Sequence, residues 1–286
     1  MTTKTIAITG ATGQFGAIAL DLLKAKHANV IALVRSPEKI SGVEARKFDY
    51  SKTEGQVEAL QGVDTLILVS SNEIGKRCFI QHNNVIGSAK KAGVKHIIYT
   101  SLLGATNDNT VQCLAGEHVE TEAALKVSGI TYTILRNTWY TENYTDLIPA
   151  SIANNAFYGS AQNARIASAL RAELAEAAVN VALGEGHDNQ TYELSGSTSY
   201  TLADLAAEIS KQTGKNIPYV DIPTTDYANE LVKIGLPKEI AAFSAECEIY
   251  VANGALFSED KTLEKLLGRP TAGLDVAVKQ ALRLFI

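Results

Sequence analysis

The chain has 286 residues, 46% hydrophobic and 20% charged, so it can fill one or two folded cores and is neither a disordered segment nor a low-complexity fibre. Its formal net charge of −5 argues against broad binding to nucleic-acid phosphates. No apolar run approaches the roughly 18 residues of a membrane-spanning helix, and the first residues lack a signal-peptide pattern. We therefore expect no nucleic acid as a partner and no helix that spans a membrane.

The cysteines and histidines predict neither a disulfide framework nor a metal site. Cys78, Cys113 and Cys247 are an odd, widely spaced set, which is typical of reduced thiols in the cytoplasm. Cys247 lies on the apolar face of a predicted helix, where we expect it to pack in a core. The five histidines show none of the close spacings that bind a metal ion.

The first half of the chain alternates short apolar runs with amphipathic stretches. Strands are predicted at residues 6–9, 30–34, 45–48 (a weak pattern), 66–69, 97–100 and 131–135. Buried runs separated by helices indicate a parallel sheet covered on both faces, and right-handed crossovers then make it doubly wound. The predicted fold class is therefore α/β, a Rossmann sheet with a smaller, mostly helical C-terminal lobe.

The second half predicts a return to the sheet followed by helices. Arg171–Leu183 is typical of an Ala-rich helix, and residues 191–194 of a strand that rejoins the sheet. Thr201 and Asp204 form a capping-box pattern that opens a helix over Leu202–Thr213. We expect a Rossmann core over residues 1–155, completed by 165–196, and a substrate lobe over 197–286.

The most specific motif is Gly10-Ala-Thr-Gly13-Gln-Phe-Gly16, which follows the first predicted strand and opens the first predicted helix. Gly10 permits a tight turn, Gly13 leaves room for a pyrophosphate, and Gly16 lets the helix pack closely on the strand. Backbone N–H groups and the helix dipole then favour phosphate. The predicted contacts of a dinucleotide are Gly10, Ala11, Thr12, Gly13, Gln14 and Phe15.

Further candidate cofactor residues follow the other strands. Arg35 ends the second strand, where an acidic residue usually selects NADH; a guanidinium there suits the 2′-phosphate of NADPH. Asp49 and Tyr50 follow the third strand, at the expected position of the adenine. Ser70 and Ser71 follow the fourth strand and Thr100 the fifth, at the carboxyl edge where such sheets bind ligands.

Several longer segments carry a family resemblance. They are residues 66–71, 95–103, 117–122, 129–144 and 186–194, together with the glycine motif. The chain resembles the atypical short-chain dehydrogenase/reductases of the NmrA-like group nearly from end to end. Within that group it is most similar to bacterial NADPH:quinone oxidoreductases. Triphenylmethane-dye reductases are the next most similar. The resemblance implies a Rossmann fold that binds NADP.

One departure from the wider superfamily bears on the reaction. Those enzymes usually carry a Tyr-x-x-x-Lys pair as their acid and base, whereas Leu114 and His118 occupy the corresponding positions here. Deprotonation of an alcohol is therefore disfavoured. A quinone needs less help, because it is strongly electrophilic and water can protonate its product. His118 is either a proton donor or, with Glu122 one turn later, a structural pair.

The tract after the sixth strand supplies the remaining candidates. Trp139, Tyr140 and Tyr144 would line an apolar cleft for a flat ring, and Asn137 and Asn143 would donate hydrogen bonds. The resemblance places this tract beside the nicotinamide, so Asn137, Trp139, Tyr140 and Asn143 join the cofactor contacts. Arg171 either reaches the cofactor or lies on a helix surface. The catalytic candidates are His118, Tyr140 and Asn143.

Together these observations predict an NADPH-dependent oxidoreductase that reduces quinones, or similar flat electrophiles, by direct hydride transfer. Two alternatives stay open. One is a non-catalytic redox sensor that binds NADP(H), which the missing Tyr-Lys pair allows; the other is a reductase of triphenylmethane or azo dyes. A homodimer is an assembly that the sequence neither requires nor excludes.

Overall fold

The computed structural model describes residues 4–285 and forms two compact units. Residues 1–3 and 286, the outer ends of the two predicted domains, lie outside the described part. Unit 1 takes in the described part of Met1–Ala105 together with Leu114–Asn137 and Arg171–Leu194. Unit 2 takes in Thr106–Cys113, Thr138–Leu170 and the described part of Ser195–Ile286. Each unit is therefore built from three separate stretches of the chain.

Elements are numbered here in chain order. The strands are β1 (Thr5–Thr9), β2 (Asn29–Val34), β3 (Glu44–Lys47), β4 (Thr65–Leu68), β5 (His96–Leu102), β6 (Thr131–Asn137), β7 (Phe157–Gly159), β8 (Gln190–Leu194) and β9 (Tyr219–Asp221). The helices are α1 (Gln14–Ala25), α2 (Gln56–Ala59), α3 (Lys76–Ala92), α4 (Gln112–Val127), α5 (Glu142–Thr145), α6 (Ile148–Asn154), α7 (Arg171–Leu183), α8 (Leu202–Thr213), α9 (Thr224–Lys233), α10 (Lys238–Ala252), α11 (Thr262–Leu267) and α12 (Leu274–Phe285).

Unit 1 contains a seven-stranded sheet in the order β3-β2-β1-β4-β5-β6-β8. All six strand pairings are parallel, which confirms the predicted α/β Rossmann class. The central strands are buried on both faces: β4, for example, is buried at each of its four residues. The edge strand β3 has no buried residue, which explains why its sequence pattern is weak. The chain reverses its direction of travel across the sheet between β1 and β4, and this places a ligand crevice at their carboxyl ends.

Helices cover the faces of this sheet. α1 presents Phe15, Ala19 and Leu23 to the core and packs against α7, whose buried residues include Leu174 and Val179. Packing of α1 against α7 means that a helix formed late in the chain is required to bury the first helix. Within residues 4–285, no helix is both long and apolar enough to cross a bilayer.

Unit 2 is mostly helical, with the short parallel pair β7 and β9. The predicted capping box is present: the Thr201 side chain accepts a hydrogen bond from the Asp204 backbone N–H at 3.1 Å, and the Asp204 carboxylate accepts from the Thr201 backbone N–H at 2.9 Å. Gly214 ends α8 in the left-handed conformation. α9 and α10 pack together around Tyr227 and Leu231.

Candidate cofactor-binding site

The glycine motif forms a tight turn between β1 and α1. Gly10 has a φ of +62°, a value that residues with a Cβ rarely adopt. A Cβ on Gly16 would lie 2.2 Å from the Gly10 carbonyl oxygen, so only glycine permits this approach of helix to turn. Gly13 is exposed, and a Cβ there would project beside the same oxygen at 3.2 Å. The three glycines thus leave a bare backbone surface at the start of α1.

The first turn of α1 is suited to an anion. Gly13 is the N-cap and provides no side chain to accept the N–H groups of that turn, and the turn contains no acidic residue. The N-terminal N–H groups of a helix require acceptors from outside the helix, and the helix dipole adds a partial positive charge. A phosphate group meets both requirements.

The crevice between β1 and β4 is held in shape by hydrogen bonds. The Thr9 hydroxyl donates to the Ile67 carbonyl at 3.2 Å and accepts from the Val69 N–H at 3.0 Å, so it joins the ends of both strands. The Tyr50 hydroxyl donates to the Val69 carbonyl at 2.5 Å and lies near Gly10. Tyr50 was expected near the adenine; the structure gives it this bracing role.

The loop after β4, which carries Ser70 and Ser71, is fixed by its neighbours. The Ser70 N–H donates to the Thr100 hydroxyl at 2.8 Å, and the Ser71 N–H donates to His82 Nε2 at 2.9 Å. Because Nε2 accepts, the His82 proton lies on Nδ1, which donates to the Thr121 hydroxyl at 3.0 Å. Burial lowers the pKa of His82 to about 3, so this tautomer is neutral. Sequence reasoning missed His82, although a polar side chain on the buried face of α3 was a signal that it has a partner.

His118 lies beside Tyr99 in the same buried region of unit 1. The Tyr99 hydroxyl and His118 Nδ1 are 2.7 Å apart. Burial lowers the pKa of His118 to about 4, with a smaller opposing effect from Glu122, so the imidazole is neutral at pH 7. Glu122, the alternative partner of His118 in the sequence analysis, acts on its pKa through charge, while its carboxylate accepts hydrogen bonds from other residues.

Glu122 belongs to a buried ion-pair network that the sequence analysis did not identify. Arg136 on β6 contacts both carboxylate oxygens of Glu122, at 2.8 and 2.7 Å, and Glu193 on β8 at 2.8 Å. The Ser101 hydroxyl also donates to Glu122 at 2.7 Å. Burial alone would raise the pKa of Glu122, but the hydrogen bonds from Arg136 and Ser101 outweigh it and the pKa is lowered. The available signal was an arginine that directly follows the apolar pair Ile134 and Leu135 in β6.

Arg35 and Asp49 lie at the carboxyl ends of β2 and β3. Arg35 directly follows Val34, the last residue of β2, and is exposed. Asp49 accepts from the Ser51 hydroxyl at 2.7 Å and from the Ser51 N–H at 3.0 Å, and these bonds lower its pKa, with a small contribution from Arg35. An exposed guanidinium and a carboxylate thus share one end of the sheet.

The remaining predicted residues divide between the two units. Asn137, in unit 1, ends β6 and is buried, and its side-chain oxygen has no hydrogen-bond partner among the described residues. Arg171, also in unit 1, starts α7 and is half-buried. Trp139 and Tyr140, half-buried, and Asn143, exposed, belong to unit 2.

The predicted role of Tyr144 in an aromatic cleft is wrong. It is only 2% exposed, and its hydroxyl donates to Glu248 Oε1 at 3.0 Å within unit 2. Tyr144 is therefore a core residue of that unit and does not line a cleft. No group of three or more metal-binding side chains occurs within residues 4–285.

A family model described as the NmrA-like family matches residues 2–266. The chain belongs to the NmrA-like family. A curated relative, "Quinone oxidoreductase 2" of Escherichia coli, is 45% identical over 280 residues, which cover 96% of this chain and 97% of the relative. The resemblance expected from the segments around residues 95–144 is thereby confirmed.

Two solved structures match nearly the whole chain. One is an NADPH-dependent quinone oxidoreductase of Escherichia coli complexed with NADPH, 43% identical, with a TM-score of 0.90 and coverage of 98% of this chain and 100% of that one. The other is the triphenylmethane reductase of a Citrobacter species complexed with NADP(H), 35% identical, with a TM-score of 0.92 and coverage of 97% and 99%.

Proposed function

We propose that this NmrA-like protein binds NADPH at the carboxyl edge of the unit 1 sheet. The bare backbone at Gly10 and Gly13 and the uncapped first turn of α1 suit a pyrophosphate. Ala11, Thr12, Gln14 and Phe15 complete this loop. The fixed loop at Ser70 and Ser71, with Thr100 beneath it, borders the same crevice between β1 and β4.

Charge and hydrogen-bonding capacity support the remaining cofactor contacts. An exposed Arg35 at the end of β2 suits the 2′-phosphate that distinguishes NADPH from NADH. A buried acceptor without a donor is costly, so the side chain of Asn137 suits a donor such as the nicotinamide carboxamide. Asp49 and Arg171 stay candidates from unit 1. Trp139, Tyr140 and Asn143, in unit 2, stay predictions from the sequence.

The proposed reaction is the two-electron reduction of a quinone. The observation that carries it is the full-length similarity to the quinone oxidoreductase of Escherichia coli together with the phosphate-binding loop. Bound NADPH would supply a hydride directly to the acceptor. The chain's own residues bind and orient the two molecules, and at neutral pH the neutral, buried His118 holds no extra proton to donate. Water then protonates the product.

The test is the oxidation of NADPH, followed at 340 nm, with and without 1,4-benzoquinone. We expect quinone-dependent oxidation, with a lower kcat/KM for NADH and loss of activity in Gly13→Val. Tight NADPH binding without turnover of benzoquinone would contradict the proposal in favour of a redox sensor. Turnover of malachite green, a triphenylmethane dye, but not of the quinone would identify a dye reductase instead.

We further propose that the protein works in a reducing compartment such as the cytoplasm, which its three cysteine thiols support. A homodimer is a separate proposal that light scattering after gel filtration tests directly.

A further inference from the structure

Two cysteines that are distant in the sequence lie side by side in unit 2. Cys113 Sγ and Cys247 Sγ are 3.1 Å apart, although 134 positions separate them in the chain. Cys247 lies on α10 and is completely buried, whereas Cys113, the second residue of α4, is half-buried. The segment that leads to Cys113 also reaches the end of α10, because Asn109 lies beside Gly254.

We propose that Cys113 and Cys247 are a redox-active dithiol that a small disulfide oxidises to an intramolecular disulfide. A protein disulfide has an S–S length of about 2.05 Å, so the two sulfurs need approach by only about 1 Å. This proposal is independent of the proposed quinone reductase activity.

The two thiols differ in a way that assigns their roles. Cys113 lies in the first turn of α4, which contains no acidic residue, and there the helix dipole favours a thiolate. Cys247 lies between Glu246 and Glu248 in the chain. The hydrogen bond with Cys113 raises the pKa of Cys247, and so do burial and the charges of these two glutamates. Cys113 is therefore the attacking thiol and Cys247 the resolving thiol.

The oxidation proceeds in two exchanges. The Cys113 thiolate attacks one sulfur of a disulfide RSSR, the S–S bond breaks, and Cys113 carries a mixed disulfide as RS⁻ leaves. Cys247 then loses its proton and attacks Cys113 Sγ, which breaks the mixed disulfide and releases a second RS⁻. The two thiol protons of the protein end on two molecules of RSH, and the two electrons reduce RSSR.

The experiment treats the full-length protein with oxidised glutathione at pH 8 and analyses its peptides by mass spectrometry without reduction. We expect a Cys113–Cys247 linked peptide in the wild type and, as a matched control, in Cys78→Ser. In Cys247→Ser we expect a stable glutathione adduct on Cys113. In Cys113→Ser neither the adduct nor the linked peptide should form. A glutathione adduct on wild-type Cys113 without a linked peptide, or no reaction, would overturn the proposal.

A second measurement needs no variant. A bond across 134 positions restricts the unfolded chain strongly, so the oxidised wild type should melt about 5 °C or more above the reduced protein. Dithiothreitol should reverse the shift. If mass spectrometry shows that the disulfide has formed completely but the melting temperature is unchanged, the proposal that this disulfide forms within the native packing is contradicted.

Discussion

Arg35 decides the choice between the two nicotinamide dinucleotides in the proposed function. Arg35→Ala removes a charged partner of the 2′-phosphate, so NADPH binding should weaken by about 1.5–3 kcal/mol while NADH binding hardly changes. Calorimetry with both nucleotides measures this. Lys26→Ala, which removes an exposed cation just after α1, is the control and should leave the preference intact. Equal losses for both nucleotides in Arg35→Ala would refute the assignment.

Gly13 tests whether the loop approaches a phosphate. Its φ of −80° is open to any residue, and a Cβ would meet only the Gly10 oxygen at 3.2 Å, so Gly13→Val should fold. Its branched side chain would occupy the pyrophosphate position, and NADPH affinity should fall at least 100-fold. The control Gly87→Val makes the same change in α3, where a Cβ meets nothing within 4 Å, and should bind normally. Unchanged affinity in folded Gly13→Val would make the loop a simple turn.

His118 separates direct hydride transfer from acid catalysis. With a pKa of about 4, roughly one imidazole in a thousand is protonated at pH 7. His118→Ala should therefore lower kcat less than tenfold, whereas a general acid typically contributes ~10²–10⁴-fold. The pH profile of kcat adds a second test, since a His118 acid would lose activity as pH rises through its pKa. A hundredfold loss with an intact fold and normal NADPH binding would prove this expectation wrong.

What the sequence predicts at this scale depends on how local the contact is. The glycine loop is formed by residues 10–16 alone, so the spacing of its glycines is enough to predict its geometry. The hydrogen bonds of His82 with Ser71, of Glu122 with Arg136 and of Cys113 with Cys247 reach other elements, 11 to 134 positions away, and no local pattern names these partners. The prediction for Tyr144 is wrong for the same reason: its sequence neighbours suggest a cleft, whereas its partner Glu248 comes from α10.

Among the strands and helices, β6 is the one whose ion pairs we expect to contribute most to stability. Arg136 forms ion pairs with Glu122, whose side chain is 2% exposed, and with Glu193. Arg136→Met leaves a buried carboxylate without its main partner, so the free energy of unfolding should fall by about 3–5 kcal/mol. Lys126→Met removes a weaker, half-exposed contact to the same Glu122 at 3.6 Å and should cost less than about 1 kcal/mol. Urea titrations of both variants measure the difference, and equal costs would contradict it.

The ends of helices and strands are likewise predicted well where the signals that set them are local in the sequence. The helix predicted over Leu202–Thr213 is found with those bounds, because its start and stop signals are local: a capping box and Gly214. The predicted helix Arg171–Leu183 is also confirmed. β5 and β6 extend two residues beyond their predicted ends, where polar Ser101 and Asn137 continue the pairing of the two strands. Polar residues at strand ends carry no apolar signal, so sequence patterns end too early there.

Across the whole molecule, buried histidines of unit 1 and a buried glutamate of unit 2 make stability depend on pH in opposite directions. In unit 1, burial lowers the pKa of His82 to about 3 and those of His96 and His118 to about 4. Their unfolded forms bind protons below about 6.5, so unit 1 loses stability as pH falls from 6.5 towards 4. In unit 2, burial raises the pKa of Glu248 to about 7. The contribution of Glu248 to the stability of unit 2 is complete at pH values below about 4.5 and is lost as the pH rises through 7.

Glu248→Gln tests this opposition. The amide keeps the acceptor for Tyr144 but does not ionise, so between pH 5 and pH 8 the variant should gain up to about 3 kcal/mol of stability relative to the wild type. Hydrogen exchange should place the gain in unit 2. Glu246→Gln changes an exposed neighbour on α10 and should show no such dependence. A pH-independent difference for Glu248→Gln would contradict a buried titration.

The interleaving of the units has a consequence for synthesis on the ribosome. The chain passes between the units five times, at 105/106, 113/114, 137/138, 170/171 and 194/195. When residue 155 has emerged, the sheet still lacks β8, so β6 is an open edge, and α1 has not yet gained the helix α7 that packs against it. An open strand edge and an uncovered apolar helix invite wrong association. Nascent chains of this length are therefore the ones that a chaperone would need to shield until residue 194 is free.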